Sequence, residues 1–417
     1  MNGNVEKVEI VIIGGGHAGL TMSYSLRQLG REHVILERGR VGERWRSERW
    51  DSFRFQFPNW TIELPGYKCQ CDDPDAFAPG YEVVRFLDGY ADFIKAPVRC
   101  GVTVTSLEQG SAEGRYLIRT QNGRIEAATV VIATGPFQQP VIPAIGAEIP
   151  ADIFQVHSSN YRNADQLPPG AILIVGTGAS GCQITEDLIE SGRHVYLSVG
   201  RLRRLPRRYR GRDFAWWGGP LGSWEQSVDT LPSPQAKNGP GPLLTPANGG
   251  HDVDLRRMAA DGVTLLGRVQ GIAGSILIIA DDLQKNLADG DISFSDYKKL
   301  VDKYVSKAGL NCPEEPSPRH GVAEPDEVLR PIREVDLKAA GISSIVWATG
   351  FRSDFDWVKL PIFDDGGEPV HQRGVTGLPG IYFIGIKWLY KRKSHFMANA
   401  GPGEDAAYLA EQIAARS

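Results

Sequence analysis

The chain has 417 residues, 41% of them apolar and 23% charged, with a formal net charge of −4. That length and apolar content support two or three domains with substantial cores. The slightly acidic balance disfavours a general nucleic-acid binder, and with neither a secretory leader nor a membrane-length apolar run in view, a soluble cytoplasmic protein is expected.

In chain order, the first predicted element is Val8-Glu9-Ile10-Val11-Ile12-Ile13, a short apolar run that reads as a buried parallel strand. It leads into Gly14-Gly15-Gly16-His17-Ala18-Gly19 and then a helix-length segment ending at Gly30. In such a turn Gly14 permits the tight bend and Gly16 lets backbone approach a pyrophosphate. Gly19 lets the helix lie close on the strand, with its N-terminus facing the anion. A second strand, Val34-Ile35-Leu36, ends in Glu37, whose carboxylate suits ribose hydroxyls, and Arg38 is assigned to the same site. Further on, Phe53, Phe55 and Phe57 alternate as on a strand and are expected to pack in a core.

Val130-Val131-Ile132-Ala133-Thr134-Gly135 is the next apolar strand, and it is followed by a second complete dinucleotide unit. Its strand is Ala171-Ile172-Leu173-Ile174-Val175, its turn Gly176-Thr177-Gly178-Ala179-Ser180-Gly181, and its helix ends near Gly192 before the strand Val195-Tyr196-Leu197. Here Ser198-Val199-Gly200-Arg201 replaces the acid. A carboxylate would repel a 2′-phosphate, whereas Ser198 and Arg201 suit one. The first site is therefore read as FAD and the second as NADPH.

The twelve positions from Arg201 to Arg212 hold seven arginines close to Tyr209, Phe214, Trp216 and Trp217. Cofactor binding by the first arginines and a solvated loop for the rest is preferred over a grip on a nucleic-acid strand. Arg207, Arg208 and Arg210 leave an anionic substrate or a partner surface open. A Trp-, Gly- and Pro-rich excursion spans about 213–250. Ser293 to Val305 reads as a helix with Ser293 and Asp296 as a capping box, and its stripe of Phe294, Tyr297, Val301 and Tyr304 suits a core or a dimer contact. Ser344-Ile345-Val346-Trp347-Ala348-Thr349-Gly350 repeats the Ala-Thr-Gly ending, Gly380 to Gly385 encloses another buried strand, and a last helix starts at about Glu404.

This order of motifs resembles the single-component, class B flavin monooxygenases, and within them the YUCCA-type and bacterial CzcO-like branch. The resemblance covers nearly the whole chain. It implies an α/β fold of two Rossmann-like dinucleotide-binding domains, the NADPH domain inserted into the FAD domain. The parts expected are 1–160 and 345–417 for FAD, and 161–344 for NADPH with insertions at about 213–250 and 281–330. The stretch from Arg44 to Asn59 is similar to the family segment passing the flavin ring. By that match Trp45 and Arg46 flank the cofactor and Asn59 stands beside the oxygen-reactive face. Thr134, Gly135, Thr349, Gly350 and Gly385 are assigned to cofactor binding.

The family signature is Phe-x-Gly-x-x-x-His with an aromatic or basic residue four positions on. His157 and Tyr161 match it, while Ala151 and Ile153 stand in place of Phe and Gly. Tyr161 instead of Trp leans toward N- or S-oxygenation over Baeyer-Villiger chemistry, with Baeyer-Villiger oxidation and oxidative decarboxylation left open, and His157 is a candidate orienting residue in the cleft. The implied reaction is hydride transfer from NADPH to FAD, capture of O2 as a C4a-(hydro)peroxyflavin, and transfer of one oxygen atom to a small organic substrate. A homodimer is compatible with this; no metal, nucleic-acid or membrane partner is expected.

Two other classes share the two-dinucleotide plan. A disulfide reductase needs a redox cysteine pair beside the flavin, and Cys69-Gln-Cys71 has one intervening residue instead of two. A redox-sensing flavoprotein, or an oxidoreductase or oxidase without oxygen transfer, would bind both nucleotides all the same. The five cysteines are too sparse to suggest a secreted disulfide framework, Cys182 reads as a buried structural thiol, and the eight histidines show no metal-ligand spacing.

Overall fold

The computed structural model describes residues 5–314 and 322–416, so part of the expected 281–330 insertion, 315–321, lies outside the described residues. The elements that position the site begin with β1 (Glu6–Ile13), α1 (His17–Gln28), β2 (Val34–Leu36), α2 (Gly80–Phe93), β3 (Val98–Arg99), β4 (Val104–Gln109), β5 (Tyr116–Thr120) and β6 (Gly123–Ile132). Next come β7 (Phe154–His157), β8 (Ala171–Val175), α3 (Ala179–Glu190), β9 (Val195–Ser198), β10 (Arg203–Arg204), β11 (Pro242–Leu243), β12 (Thr264–Leu266) and α4 (Leu283–Ala308). The chain closes with β13 (Ile342–Trp347), β14 (His371–Gln372), β15 (Val375–Thr376), β16 (Ile381–Phe383) and α5 (Gly403–Arg416).

The first sheet runs β14-β15-β16-β6-β1-β2-β3, with the β4–β5 hairpin joined through β5 to β6. Its centre, β16 to β3, is parallel. Ile10 to Ile13 of β1 are at most 5% exposed, as a strand covered on both faces requires. Ile13 pairs with both Leu36 and Ile132, so Gly14, Glu37 and Ala133 emerge together at one edge.

The second sheet, β7-β13-β8-β9-β12, is wholly parallel and repeats this arrangement. Val175 pairs with Trp347 and Ser198, which brings Gly176 beside Ala348. The two Ala-Thr-Gly segments therefore have one job each. A Cβ on Gly14 would meet the Ala133 carbonyl oxygen at 2.5 Å, and a Cβ on Gly176 would meet that of Ala348 at 2.7 Å. Both glycines also hold left-handed φ, +117° and +109°.

The sheets change hands at positions other than 160 and 344. β7 pairs with β13 in the second sheet, so that sheet begins before 160 and continues to Trp347. Phe154–His157 is too short and too mixed in polarity to reveal its partner from sequence. Between the sheets the two crossing segments pair with each other, Gln139 with Arg352 and Pro140 with Phe351.

Helix α4 begins at Leu283, well before the expected Ser293, whose hydroxyl donates to the Gly290 and Arg204 carbonyls within the helix and to β10. Gly290 lies inside this helix and serves close packing, since a Cβ there would fall 2.2 Å from Leu202 Cδ1. Tyr297 and Val301 are buried, and the Tyr297 and Tyr304 rings pack on Phe214 and Trp217, so the stripe belongs to the core of the chain itself. Among the described residues no helix is long and apolar enough to cross a membrane.

Candidate functional site

A single cavity of about 910 Å³ lies at the carboxyl edges of both sheets, the place where parallel α/β sheets present ligand sites. Gly14, Gly16, Glu37 and Arg38 line it from the first unit and Thr177, Gly178 and Ser180 from the second. The glycines divide by function. A Cβ on Gly19 or Gly181 would sit 1.9 Å from the carbonyl oxygen of Gly14 or Gly176, so these two permit helix and strand to touch, while Gly176 lets its turn lie against Ala348. Gly16 and Gly178 have no protein atom within 4 Å of a would-be Cβ. Their open side is where a ligand backbone approaches, which fits a pyrophosphate at the N-termini of α1 and α3.

Glu37 is held in place by accepting from Gly15 N at 2.7 Å and Gly39 N at 2.8 Å, through different carboxylate oxygens. Trp45, Thr134, Gly135, Gly350 and Gly385 also line the cavity, and Thr134 Oγ1 accepts from Gln138 Nε2 at 3.0 Å. Phe53, Phe55 and Phe57 line it too, so they serve the core and the cavity wall together.

Several expected residues are engaged elsewhere. Arg46 turns to Asp88 of α2 and to the Val41 carbonyl; Arg44 and Arg49 face the cavity instead. Arg49 lies against the Trp45 and Phe53 rings at 5.0 and 5.4 Å, and burial lowers its guanidinium to about 10. Ser198 Oγ donates to the Gly267 carbonyl and accepts from Val269 N, which leaves Arg201 as the polar group of β9's end that lines the cavity. The Thr349 hydroxyl donates to the Val141 carbonyl.

Neither expected catalytic residue reaches the cavity wall. Asn59 is buried with its Nδ2 on the Asp73 carbonyl at 2.9 Å and its Oδ1 unpartnered. His157 spans Ser159 Oγ and the Gly350 carbonyl at 3.0 Å each, and burial lowers its pKa, so it ties the end of β7 to the second crossing segment. Tyr161 is fully buried, its hydroxyl donating to Asp187 at 2.5 Å. Residue type alone carries no information on which way these side chains turn.

The arginine-rich stretch is mostly spent inside the fold. Arg204 pairs with Asp254 and Asp291, Arg207 with Asp213, and Arg210 with Asp302, while Arg208 donates to the Gly249 and Gly250 carbonyls. Cys69 and Cys71 are joined as a disulfide, a bond that their sparse spacing did not suggest, and neither lines the cavity. Cys182 is buried and its thiol is pushed up by burial, as a structural thiol should be.

The segment Lys387 to Met397 supplies a wall that motif spacing did not reveal. His395 borders the cavity with its Nδ1 buried and unpartnered, and burial lowers its ring to about 3. His17 Nε2 meets the His395 carbonyl oxygen, and burial lowers His17 to about 4. The 213–250 excursion covers the cavity through Ala236 to Pro242 and is tied down by a bridge between Ser227 and Lys391. An aromatic layer of Phe57, Trp224 and Phe396 lies under this contact.

The family profile described as pyridine nucleotide-disulphide oxidoreductase matches residues 11–209, the span holding both glycine-rich turns. Indole-3-pyruvate monooxygenase YUCCA1 of Arabidopsis thaliana, a probable assignment by its own name, is 29% identical over 215 residues, 48% of this chain and 49% of the relative. In fold the chain matches the flavin-containing monooxygenase of Stenotrophomonas maltophilia with a TM-score of 0.65 at 18% identity, covering 99% of both chains. An uncharacterized CzcO-like oxidoreductase of Geobacillus kaustophilus is 30% identical over 410 residues, 97% of this chain and 98% of the relative. With likeness of that extent over the whole length, the chain belongs to the CzcO-like oxidoreductases, built on the fold of the flavin monooxygenases.

Proposed function

We propose that this oxidoreductase is an NADPH-dependent flavin monooxygenase that places one atom of O2 in a small organic substrate, with N- or S-oxygenation favoured. The observation that supports it most is the single cavity bordered by both glycine-rich turns, which lets two dinucleotides meet in one chamber. In this reading the first sheet and its flanking segments hold FAD, and the second sheet, inserted between β6 and β16, holds NADPH. A cytoplasmic location belongs to the same reading.

FAD would be held by Gly14 and Gly16 at the N-terminus of α1, by Glu37 at the ribose, and by Trp45, Thr134, Gly135 and Gly385. NADPH would be held by Gly178 and Ser180 at the N-terminus of α3 and by Arg201 at the 2′-phosphate. The bound flavin supplies redox chemistry with O2 that no side chain here provides. The residues of the chain bind and orient. Arg49, half-buried against two rings, presents a positive charge to the chamber, while Phe55, Phe57 and the 236–242 lid keep water out.

Oxidation of NADPH without oxygen transfer is the second reading, favoured by the placement of Asn59 and His157 off the cavity wall. Rapid mixing separates the two. The holoenzyme is reduced anaerobically with NADPH, mixed with O2, and followed by flavin absorbance. A transient near-ultraviolet band, distinct from oxidised and reduced flavin and prolonged by NADP⁺, supports oxygenation. Direct return to oxidised flavin with stoichiometric hydrogen peroxide, with amines, sulfides or ketones present, would replace it with the second reading.

A further inference from the structure

Arg203 and Arg392 reach the same cavity from distant parts of the fold, Arg203 from β10 and Arg392 from the short 3-10 turn Arg392–His395. Their neighbours in sequence all have carboxylates. Arg204 takes Asp254 and Asp291, and Lys391 and Lys393 both take Glu225 and Glu404. Among the described residues, neither Arg203 nor Arg392 forms an ion pair. Arg392 donates to the neutral Gln226 amide oxygen and lies 4.7 Å over the Trp388 ring, and its Nε is buried with no partner.

Two partly buried guanidinium groups facing one chamber without a counter-charge are a costly arrangement unless a ligand supplies the anion. Both line the same cavity, and burial depresses both guanidinium groups, that of Arg392 to about 10. Of the acids that line the cavity, Glu37 accepts from Gly15 N and Gly39 N, Glu43 and Glu48 are paired with Arg40 and Arg44, and Asp354 accepts from Gln139 Nε2. The phosphates of the dinucleotides have their own donors at the two glycine-rich turns and Arg201. Beside the arginine pair the wall is aromatic, formed by Phe57, Trp388 and Phe396.

We propose that Arg203 and Arg392 form a carboxylate-binding subsite, and that the substrate is an organic acid whose apolar part lies against Phe57, Trp388 and Phe396. The planar fork of a guanidinium matches the two oxygens of a carboxylate, and a neutral amide of the same shape does not replace them. This inference rests on the reading above in taking the cavity as the reaction chamber.

The test is calorimetric titration of the FAD-loaded protein, saturated with NADP⁺, with phenylacetate, 3-phenylpropionate and octanoate, each against its neutral amide. At least one acid should bind saturably and at least tenfold tighter than its amide. Arg203→Gln and Arg392→Gln should each weaken that acid tenfold or more while leaving the KM for NADPH in flavin reduction unchanged. If no acid binds, or the amides bind as well, the subsite is wrong; a loss of NADPH affinity in the variants would assign the arginines to the dinucleotide. The wild-type acid and amide comparison stands even if a variant folds poorly. Acid binding without the transient flavin band would overturn oxygenation and leave the subsite in place.

Discussion

His17 Nε2 donates to the main-chain carbonyl of His395 at 3.2 Å across 378 positions of sequence, tying the helix of the first glycine-rich turn to the cavity wall built near the C-terminal end. Both rings are kept neutral by burial, His17 down to about 4 and His395 down to about 3 against an ordinary 6.5. Unfolded, each takes a proton near pH 6.5; folded, each resists it until those lower values. Their contribution is therefore present in full above pH 6.5 and lost as pH falls toward 4 and then 3. Urea unfolding of the holoprotein between pH 7 and pH 4 should show this as a loss of up to about 6 kcal/mol, about 3 from each ring. His17→Gln, which keeps a donor for the carbonyl, should flatten that limb, and an unchanged slope would remove His17 from the explanation.

The glycine turns separate packing from ligand binding. Gly16→Ala meets no protein atom within 4 Å, so stability should change by less than about 0.5 kcal/mol while FAD is lost on gel filtration. Gly19→Ala drives a methyl into the Gly14 carbonyl and should cost about 3 kcal/mol of folding stability. Thermal unfolding and flavin content of the two variants, measured side by side, decide the matter; equal damage by both would mean that Gly16 has a structural role the cavity does not show.

Arg201 lines the cavity, whereas Ser198 is committed to Gly267 and Val269. Arg201→Ala should raise the KM for NADPH by an amount equivalent to roughly 1 to 3 kcal/mol and leave that for NADH nearly unchanged. Ser198→Ala should cost about 1 kcal/mol of stability with no bias between the coenzymes. Steady-state NADPH and NADH oxidation with both variants tests the pair, and a 2′-phosphate preference lost in Ser198→Ala would reverse the assignment.

Arg207 is 1% exposed, bonded to Asp213 at 2.8 and 3.1 Å and to the Gln56 carbonyl at 2.7 Å. Arg207→Met strands the Asp213 carboxylate and should destabilise the fold by about 3 to 5 kcal/mol. Arg207→Met with Asp213→Asn should recover part of that loss. Denaturant midpoints of the single and double variants give the coupling directly, and purely additive effects would mean that the pair contributes little.

The two dinucleotide units were legible because their signals are local. Val34–Leu36 and Ala171–Val175 are short apolar runs bounded by turn residues, and they form strands at those bounds. Side-chain direction was not legible in the same way. Arg46 and Arg44 are both plausible cavity residues in sequence, and only the position of Asp88 on α2 turns one of them away. The segment containing Arg392 and His395 escaped notice because its contribution depends on contacts with Gln226 and His17, far off in the chain. The need for glycine at position 290 is equally remote in sequence, since the crowding that requires it comes from Leu202.

The order of strands in the first sheet has a consequence for biosynthesis. β16 pairs with β6, and Leu409, Ala410 and Ile413 of α5 belong to the same core as Leu20 and Leu26 of α1. A ribosome must therefore deliver everything through Phe383 before the sheet begun at Glu6 is finished, and through Ile413 before its helical cover is complete, whereas every strand of the second sheet has emerged by Trp347. Until then the nascent chain carries an unpaired β6 edge and an uncovered apolar helix, the kind of surface that recruits chaperones. The inner lobe is thus free to mature first and wait for the outer one, and slow decoding near the 3′ end of the message would lengthen the most aggregation-prone interval.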